Sequence, residues 1–260
     1  MFDNNRIYNT WADGFNLNCD CAGVMYINNY LRGTGDDSLA LFADSREKSS
    51  RIHDAKIKNN TTHCNWTAAG VDLWGGDDII VENNLIVDSA AFGIAMHSAI
   101  GAAQCPMPND IWIRNNTLIH CGEKSDLATG RGAIFIVSSI QQGDSPYVTV
   151  TKMEDVYIEN NEFLDNPYAF FVAFANGNRD DINPEMRYNY IRNVGIAVPG
   201  DEYLTSYSNG VVQGNIEYSY NVFEGKSANM RKSYSNLVNE YLNNNIPASL
   251  WNKEEEVLKP

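Results

Sequence analysis

The sequence lacks any apolar run that approaches the roughly 20 residues needed for a transmembrane helix. Its first six residues also lack the basic region followed by an apolar stretch that is typical of a signal peptide. Basic residues are scarce, since 19 Lys and Arg stand against 33 Asp and Glu, for a net charge of −14. Because phosphate groups bind to clustered cations, this balance argues against nucleic acid or a membrane surface as a partner. A neutral substrate, or plain solubility, fits the charge better.

Cysteines are few, and they are scattered along the chain at Cys19, Cys21, Cys64, Cys105 and Cys121. This pattern does not predict a disulfide scaffold. We favour buried small apolar side chains over metal ligation by the first three. Gly-rich phosphate loops, zinc-ligand spacings and Ser-His-Asp patterns are also missing. The sequence therefore predicts chemistry that requires no cofactor.

What the sequence does contain is an internal repeat marked by asparagine doublets. They lie at residues 4–5, 28–29, 59–60, 83–84, 115–116 and 160–161, with single-Asn versions at Asn189 and Asn221. Apolar residues alternate before each doublet, which is the period of a strand with one buried face. Asn then turns the chain, because it tolerates the left-handed region of backbone space. A second strand follows, usually after a glycine or another small residue.

These repeats predict an all-β protein, a right-handed parallel β-helix solenoid of about seven to eight coils. Each coil would contribute about three short strands, stacked at about 4.8 Å, with the asparagines in internal hydrogen-bonding ladders. We assign residues 1–226 to this β-helix. Residues 227–260 are predicted to form a capping helix and tail, because their apolar residues recur at helical spacing from Met230 to Tyr241.

The repeat is already under way at the first residues, where Asn4-Asn5 leads into Arg6-Ile7-Tyr8. No amphipathic helix precedes this coil, so a sheet edge would be exposed. We therefore expect the chain to be the C-terminal part of a longer β-helix, or its first coil to be covered by a partner segment.

Acidic residues recur just before two of the second strands. When those strands are aligned on their buried residues, Phe15 falls opposite Leu39, and Asp13 falls opposite Asp37. Asp36 precedes Asp37, so three carboxyl groups would lie on adjacent coils. Carboxylates this close repel each other, so their placement does not serve stability. A simple Asp-containing turn and a structural calcium site are the alternative interpretations.

Four further residues are candidates for binding substrate near these acids. Trp11 lies two residues before Asp13 and should share its face of the strand. Asp72 and Trp74 belong to the aligned strand of the next coil, and His97 ends the strand of the coil after that. Aromatic faces and hydrogen-bonding groups are what sugar-binding subsites use. We predict no metal in this site.

The motif that carries the acids resembles glycoside hydrolase family 87. The phrase NTWADGFNL at residues 9–17 is followed by Asn28-Asn29 and by GTGDDSLAL at residues 33–41. The family contains α-1,3-glucanases and mycodextranases, and the motif is more distantly similar to β-helical dextranases and polygalacturonases. The resemblance implies inverting hydrolysis of α-1,3-glucosidic bonds in an α-glucan. It implies that Asp36 is the general acid and that Asp13 and Asp37 activate the water.

Such a polymer substrate implies a secreted enzyme. The motif spans only the first coils, so the resemblance also leaves open that this chain alone is inactive. Two alternatives remain from the residues themselves. One is a β-helix that binds polysaccharide without cleaving it, and the other is a dextranase- or polygalacturonase-type hydrolase.

Overall fold

The computed structural model describes residues 1–46, 48, 50–98, 104–122, 132–138, 146–148, 152–175, 181–196, 203–204, 206–210, 213–228, 230–231, 236–242 and 244. Short β-strands make up nearly all of its regular structure, and one 3-10 helix spans Gly225–Ala228. Among these residues we find no helix that is long and apolar enough to cross a membrane.

The strands form three long sheets, which we number in the order in which the chain meets them. The first sheet contains β1 (Phe2–Asp3), β4 (Cys21–Ala22), β5 (Met25–Ile27), β8 (Ile52–Lys58), β11 (Asp77–Glu82), β14 (Asn109–Arg114), β17 (Lys152–Glu159), β20 (Asp181–Arg187), β24 (Gln213–Ser219) and β27 (Asn236–Leu242). The second contains β2 (Arg6–Tyr8), β6 (Tyr30–Arg32), β9 (Thr61–His63), β12 (Leu85–Val87), β15 (Thr117–Ile119), β18 (Glu162–Leu164), β21 (Tyr190–Arg192) and β25 (Val222–Glu224). The third contains β3 (Phe15–Asn18), β7 (Leu39–Phe42), β10 (Ala69–Trp74), β13 (Phe92–His97), β16 (Gly132–Ser138), β19 (Ala169–Ala175) and β23 (Ser206–Gly210). A separate pair joins β22 (Tyr203–Leu204) to β26 (Met230–Arg231).

Each turn of the chain passes through the first, second and third sheets in that order, and like strands of successive turns pair in parallel. This is the predicted parallel β-helix. Within the described residues seven coils have a strand in all three sheets, an eighth has strands in the first two, and β27 adds one more strand to the first sheet. The coil number therefore agrees with the prediction of about seven to eight.

The core lies between the three sheets and consists of stacked apolar columns. In the first sheet Ile79 and Val81 pair with Ile111 and Ile113 of the next coil, and all four are fully buried. The intervening side chains face outward, as the period of two in the sequence predicted.

The second asparagine of each doublet forms a continuous internal ladder. Its backbone N–H and its Nδ2 both donate to the Oδ1 of the next asparagine, at 2.8–3.1 Å. The ladder contains Asn5, Asn29, Asn60, Asn84, Asn116, Asn161, Asn189, Asn221 and Asn244. Nδ2 also donates to a main-chain carbonyl, as Asn84 does to Ile57 at 2.9 Å. The amides therefore satisfy buried groups that would otherwise lack partners.

The first residue of each doublet makes the turn. Asn28, Asn59 and Asn83 have φ angles of 56–57°, in the left-handed region. Tyr188 and Tyr220 hold the same position, with φ of 57° and 56°, where the doublet is reduced to a single asparagine. The turn is therefore kept even where the residue that favours it is absent.

The predicted C-terminal capping helix is wrong for Asn236–Leu242. These residues form β27, which pairs in parallel with β24. Asn244 then continues the ladder, accepting from Asn221 Nδ2 at 3.0 Å and donating to the Tyr218 carbonyl at 2.8 Å. The unpaired backbone groups at the edge of β24 outweigh the helical spacing of the apolar residues. Residues 245–260, which the prediction also assigned to the cap and tail, lie outside the described residues.

We expect Asn84→Ala to lower the free energy of unfolding by at least about 3 kcal/mol, because several buried groups would lose partners that are worth about 1–3 kcal/mol each. They include the Asn60 N–H and the Ile57 carbonyl. Urea unfolding measures the change. The control is Asn83→Gly at the exposed turn position, where φ is 57° and glycine is tolerated. Equal effects of the two substitutions would contradict a structural role for the ladder.

Candidate active site

The acids lie where the third sheet begins. β3 and β7 pair with Phe15 opposite Leu39, so Asp13 and Asp37 each lie two residues before a paired position. The next coils continue the same register, with Val71 opposite Leu39. The alignment made from buried residues is therefore confirmed, and it places the acids on adjacent coils.

Direct hydrogen bonds hold the acids together. The Asp37 backbone N–H donates to Asp13 Oδ1 at 3.0 Å, and Asn16 Nδ2 donates to Asp13 Oδ2 at 2.7 Å. The Ala69 backbone N–H donates to Asp37 Oδ1 at 2.8 Å. One carboxylate oxygen from each of Asp13, Asp36 and Asp37 lies within 4.8 Å of the other two. The backbone of the third sheet thus brings the predicted trio together.

The three carboxyl groups differ in environment. Asp36 is exposed, Asp13 is half-buried and Asp37 is buried. Burial, and after it the charge of Asp13, raises the pKa of Asp36 above its usual range. Burial, and after it the charge of Asp72, raises the pKa of Asp37 well above its usual range. A carboxyl group whose pKa is raised keeps its proton to higher pH, which suits Asp36 to protonate a leaving group.

The other predicted residues extend the same groove. Its lining includes Asp13, Asp36 and Asp37 together with Asp72, Trp74 and His97. Trp74 stacks on His97, with ring centroids 4.3 Å apart, because the two residues pair between β10 and β13. Trp74 Nε1 also donates to Asp72 Oδ2 at 3.1 Å. Three of the four predicted binding residues therefore meet the acids.

Asp72 and His97 are buried beside the acids without a conventional ion pair between them. His97 Nε2 lies 3.1 Å from Asp72 Oδ1, but neither atom is aligned for a hydrogen bond. Burial raises the pKa of Asp72 to about 8, although hydrogen bonds with Asp37 and Trp74 lower it in part. Burial lowers the pKa of His97 to about 4. Both groups are therefore neutral near pH 7.

The fourth predicted residue, Trp11, lies beside the groove instead of in its lining. It is 90% exposed and makes an edge contact with Trp66, with ring centroids 6.2 Å apart. Trp66 is itself 50% exposed and was not predicted from the sequence. It lies in the turn before β10, where no alternation of apolar residues indicates which way a side chain points.

Other groove residues were also missed, among them Asn16 and Phe92. Asn16 lies on β3 between two inward-facing residues, so the period of two could have placed it on the outer face with the acids. Phe92 pairs with Ala69 at the start of β13 and stacks on Phe135 at 4.0 Å. The strand alignment already placed Phe92 in this column, but an aromatic residue at the start of a strand is usually interpreted as a core residue.

Oxygen atoms of the trio are close enough to share a hard cation, so calcium remains an alternative use of the site. A second acidic pair, Asp77-Asp78 on β11, is less suited to a cation, because Asp77 already has a basic partner. Both side-chain oxygens of Asp77 contact the Arg51 guanidinium.

Comparisons with known proteins agree with this geometry. Residues 1–104 match the family model described as alpha-1,3-glucanase catalytic domain D2. The match includes every predicted site residue, from Trp11 to His97.

Solved structures of that family share the fold of this chain. The catalytic unit of a thermostable family 87 alpha-1,3-glucanase from Streptomyces thermodiastaticus superposes with a TM-score of 0.73 at 22% identity, covering 96% of this chain and 44% of that one. The catalytic domain of a family 87 alpha-1,3-glucanase variant in complex with tetrasaccharides gives a TM-score of 0.65 at 20% identity, covering 96% and 45%. The chain thus spans less than half of the solved structures it matches. A comparison with curated proteins returned no match.

The buried carboxyl group of Asp72 should make the free energy of unfolding fall as the pH rises from 6.5 to 8. The folded protein holds the Asp72 proton up to about pH 8, whereas an unfolded aspartate loses it near 3.9, so the folded state is the one that binds more protons. His97 has the opposite slope, which ends at the unfolded value of about 6.5. Between pH 6.5 and 8, Asp72 should therefore remove up to about 2 kcal/mol.

Urea unfolding of the wild type and of Asp72→Asn at both pH values tests this, since the amide cannot ionise. We expect the substitution to flatten the pH dependence and exposed Asp78→Asn to leave it unchanged. The same slope in Asp72→Asn as in the wild type would show that Asp72 does not keep its proton.

Proposed function

We propose that this protein is a glycoside hydrolase that cleaves α-1,3-glucosidic linkages in an α-glucan, such as α-1,3-glucan or nigeran, with inversion at the anomeric carbon. The observation that carries the proposal is the carboxyl trio on adjacent coils, within residues that match an α-1,3-glucanase catalytic domain. Glycoside hydrolysis needs one carboxyl group to protonate the leaving oxygen and another to activate water.

In this proposal Asp36 is the general acid, because it is the exposed member of the trio and its pKa is raised. Asp13 activates the water. Two N–H donors, from Asn16 and the Asp37 backbone, fix the orientation of its carboxylate. Asp37 assists from the buried side, where Ala69 holds one of its oxygens.

The groove suits a neutral polymer better than an anionic one. Asp13 and the exposed Asp36 are in its lining, and the chain carries a net charge of −14. A uronic-acid polymer would be repelled by this field. Exposed Trp11 and Trp66 offer aromatic faces beside the acids, on which a sugar ring of the polymer can stack. Because such a polymer does not enter cells, we also propose that the enzyme acts after secretion.

We expect the protein to release reducing sugar from α-1,3-glucan or nigeran and not from dextran or polygalacturonate. Asp36→Asn and Asp13→Asn should each lower kcat by about 100- to 10,000-fold, the usual contribution of a general acid or base. Asp78→Asn is the matched control, since it removes an exposed acid away from the groove and asparagine tolerates its φ of 53°.

No release of sugar from any of the four polymers would contradict the enzymatic proposal. Retained binding of α-glucan in that case would favour the alternative, a β-helix that binds polysaccharide without cleaving it. Cleavage of dextran or polygalacturonate instead would correct the substrate.

Stereochemistry is a separate prediction. The 4.8 Å limit in the trio is a closest approach between oxygens, whereas the separations of about 6.5–9.5 Å for inverting and about 5–5.5 Å for retaining enzymes are measured between carboxyl groups. The anomeric form of the first product therefore distinguishes inversion from retention. We expect proton NMR to show the β-anomer first, with the α-anomer growing only by mutarotation. An initial α-anomer would mean retention, with a carboxylate as nucleophile.

A further inference from the structure

A second cluster of polar side chains lies at the corner between the second and third sheets. Cys64, Asp88 and His120 occupy the same corner of three successive coils, with φ angles of 55°, 52° and 51°. Backbone hydrogen bonds fix the corner, because the Cys64 N–H donates to the Val87 carbonyl at 3.0 Å and the Asp88 N–H donates to the Ile119 carbonyl at 3.0 Å. The β-helix therefore sets the spacing of these side chains as rigidly as it sets that of the acids.

Asp88 is the centre of this cluster. Its Oδ2 lies 3.0 Å from His63 Nε2 and 3.9 Å from Cys64 Sγ. One donor atom from each of these three residues lies within 4.8 Å of the other two. On the other side, Asp88 Oδ1 lies 3.2 Å from His120 Nδ1. An imidazole, a thiol and a carboxylate thus converge, and a second imidazole holds the free oxygen of the carboxylate.

The chemistry of these donors narrows the choice of ligand. Calcium and magnesium prefer oxygen atoms alone, whereas nitrogen, sulfur and oxygen together suit Zn²⁺. In a tetrahedral zinc site neighbouring donor atoms lie about 3.3–3.6 Å apart, given the usual metal–ligand distances. The observed 3.0 Å and 3.9 Å bracket that range, and one donor atom from each of the three residues lies within 4.8 Å of the other two, so side-chain shifts can bring the set to tetrahedral spacing.

We propose that His63, Cys64 and Asp88 form a Zn²⁺ site, with His120 as an outer partner that orients Asp88. Metal-binding carboxylates usually have such hydrogen-bonded partners. The side chains of His63 and Asp88 are 29% and 35% exposed, so an ion can enter and water can take the fourth position. The site lies outside the groove and needs no assumption about the proposed hydrolase activity.

Zn²⁺ at this corner would join two coils. His63 ends β9 and Cys64 follows it, whereas Asp88 follows β12 of the next coil, where Val87 pairs with His63. Cys64 also opens the turn that contains Trp66, whose N–H donates to the Thr34 carbonyl at 3.1 Å. The metal would therefore fix the start of the turn that presents Trp66 beside the groove.

The test is a titration of the whole 260-residue protein with Zn²⁺ by calorimetry and with Co²⁺ by absorption spectroscopy. We expect one equivalent of metal, and a thiolate-to-cobalt charge-transfer band that Cys64→Ser abolishes. Loss of an outer partner typically lowers metal affinity about 10–100-fold. Cys64 and Asp88 are direct ligands in this proposal, so Cys64→Ser and Asp88→Asn should weaken zinc binding at least about tenfold. Cys19→Ser and His53→Gln, which remove the same residue types elsewhere, should bind as the wild type does.

Absence of saturable binding by the wild type would overturn the proposal, as would equal affinities of the cluster variants and the wild type. Circular dichroism checks that each variant is folded. If a cluster variant is not folded, alkylation of wild-type Cys64, followed by mass spectrometry, decides. Saturating Zn²⁺ should slow that alkylation, because the thiolate is both the nucleophile and the metal ligand, and an unchanged rate would overturn the proposal.

Discussion

The constraint on which the whole structure depends is the fixed rise from one coil to the next. Parallel strands must stay within hydrogen-bonding distance, about 4.8 Å apart, in all three sheets at once. The asparagine ladder enforces this rise on the inside, because each side-chain amide bonds to the equivalent amide one coil away. A coil that drifted from this spacing would leave buried amides without partners, which is costly in a low-dielectric interior.

The same rise explains how the candidate active site is built. Residues 24 positions apart, Asp13 and Asp37, become neighbours because one coil separates them, and a backbone N–H of one binds the carboxylate of the other. Burial, and after it the repulsion of neighbouring carboxylates, raises the pKa values of Asp36 and Asp37. The backbone ladder holds together carboxyl groups that would separate on a flexible scaffold. The close carboxyl groups that the chemistry requires therefore lower stability, and the backbone hydrogen bonds of the sheet offset that loss.

Insertions between coils leave this arrangement intact. The ladder links Asn84 to Asn116 and Asn116 to Asn161 with the same hydrogen-bond lengths, although the first pair is 32 residues apart and the second 45. Extra residues between strands therefore do not change the register of the stack. The corner formed by Cys64, Asp88 and His120 shows the same property, since it repeats at the same place on coils of different length.

The sequence by itself determined the fold, the register and the acids. Alternating apolar residues and the asparagine that follows them are local signals that recur from coil to coil, so strand alignment could be predicted before any contact was known. Tertiary structure alone decided what has no repeated local signal. The edge of β24 drew Asn236–Leu242 into a strand against its helical spacing. Trp66 contacts Trp11 from a turn, and His63 contacts Asp88 from the end of a strand. In both cases the direction of the side chain depends on packing with another coil. The neutral state of Asp72 and His97 also follows from burial, which is a property of the assembled stack and not of either residue.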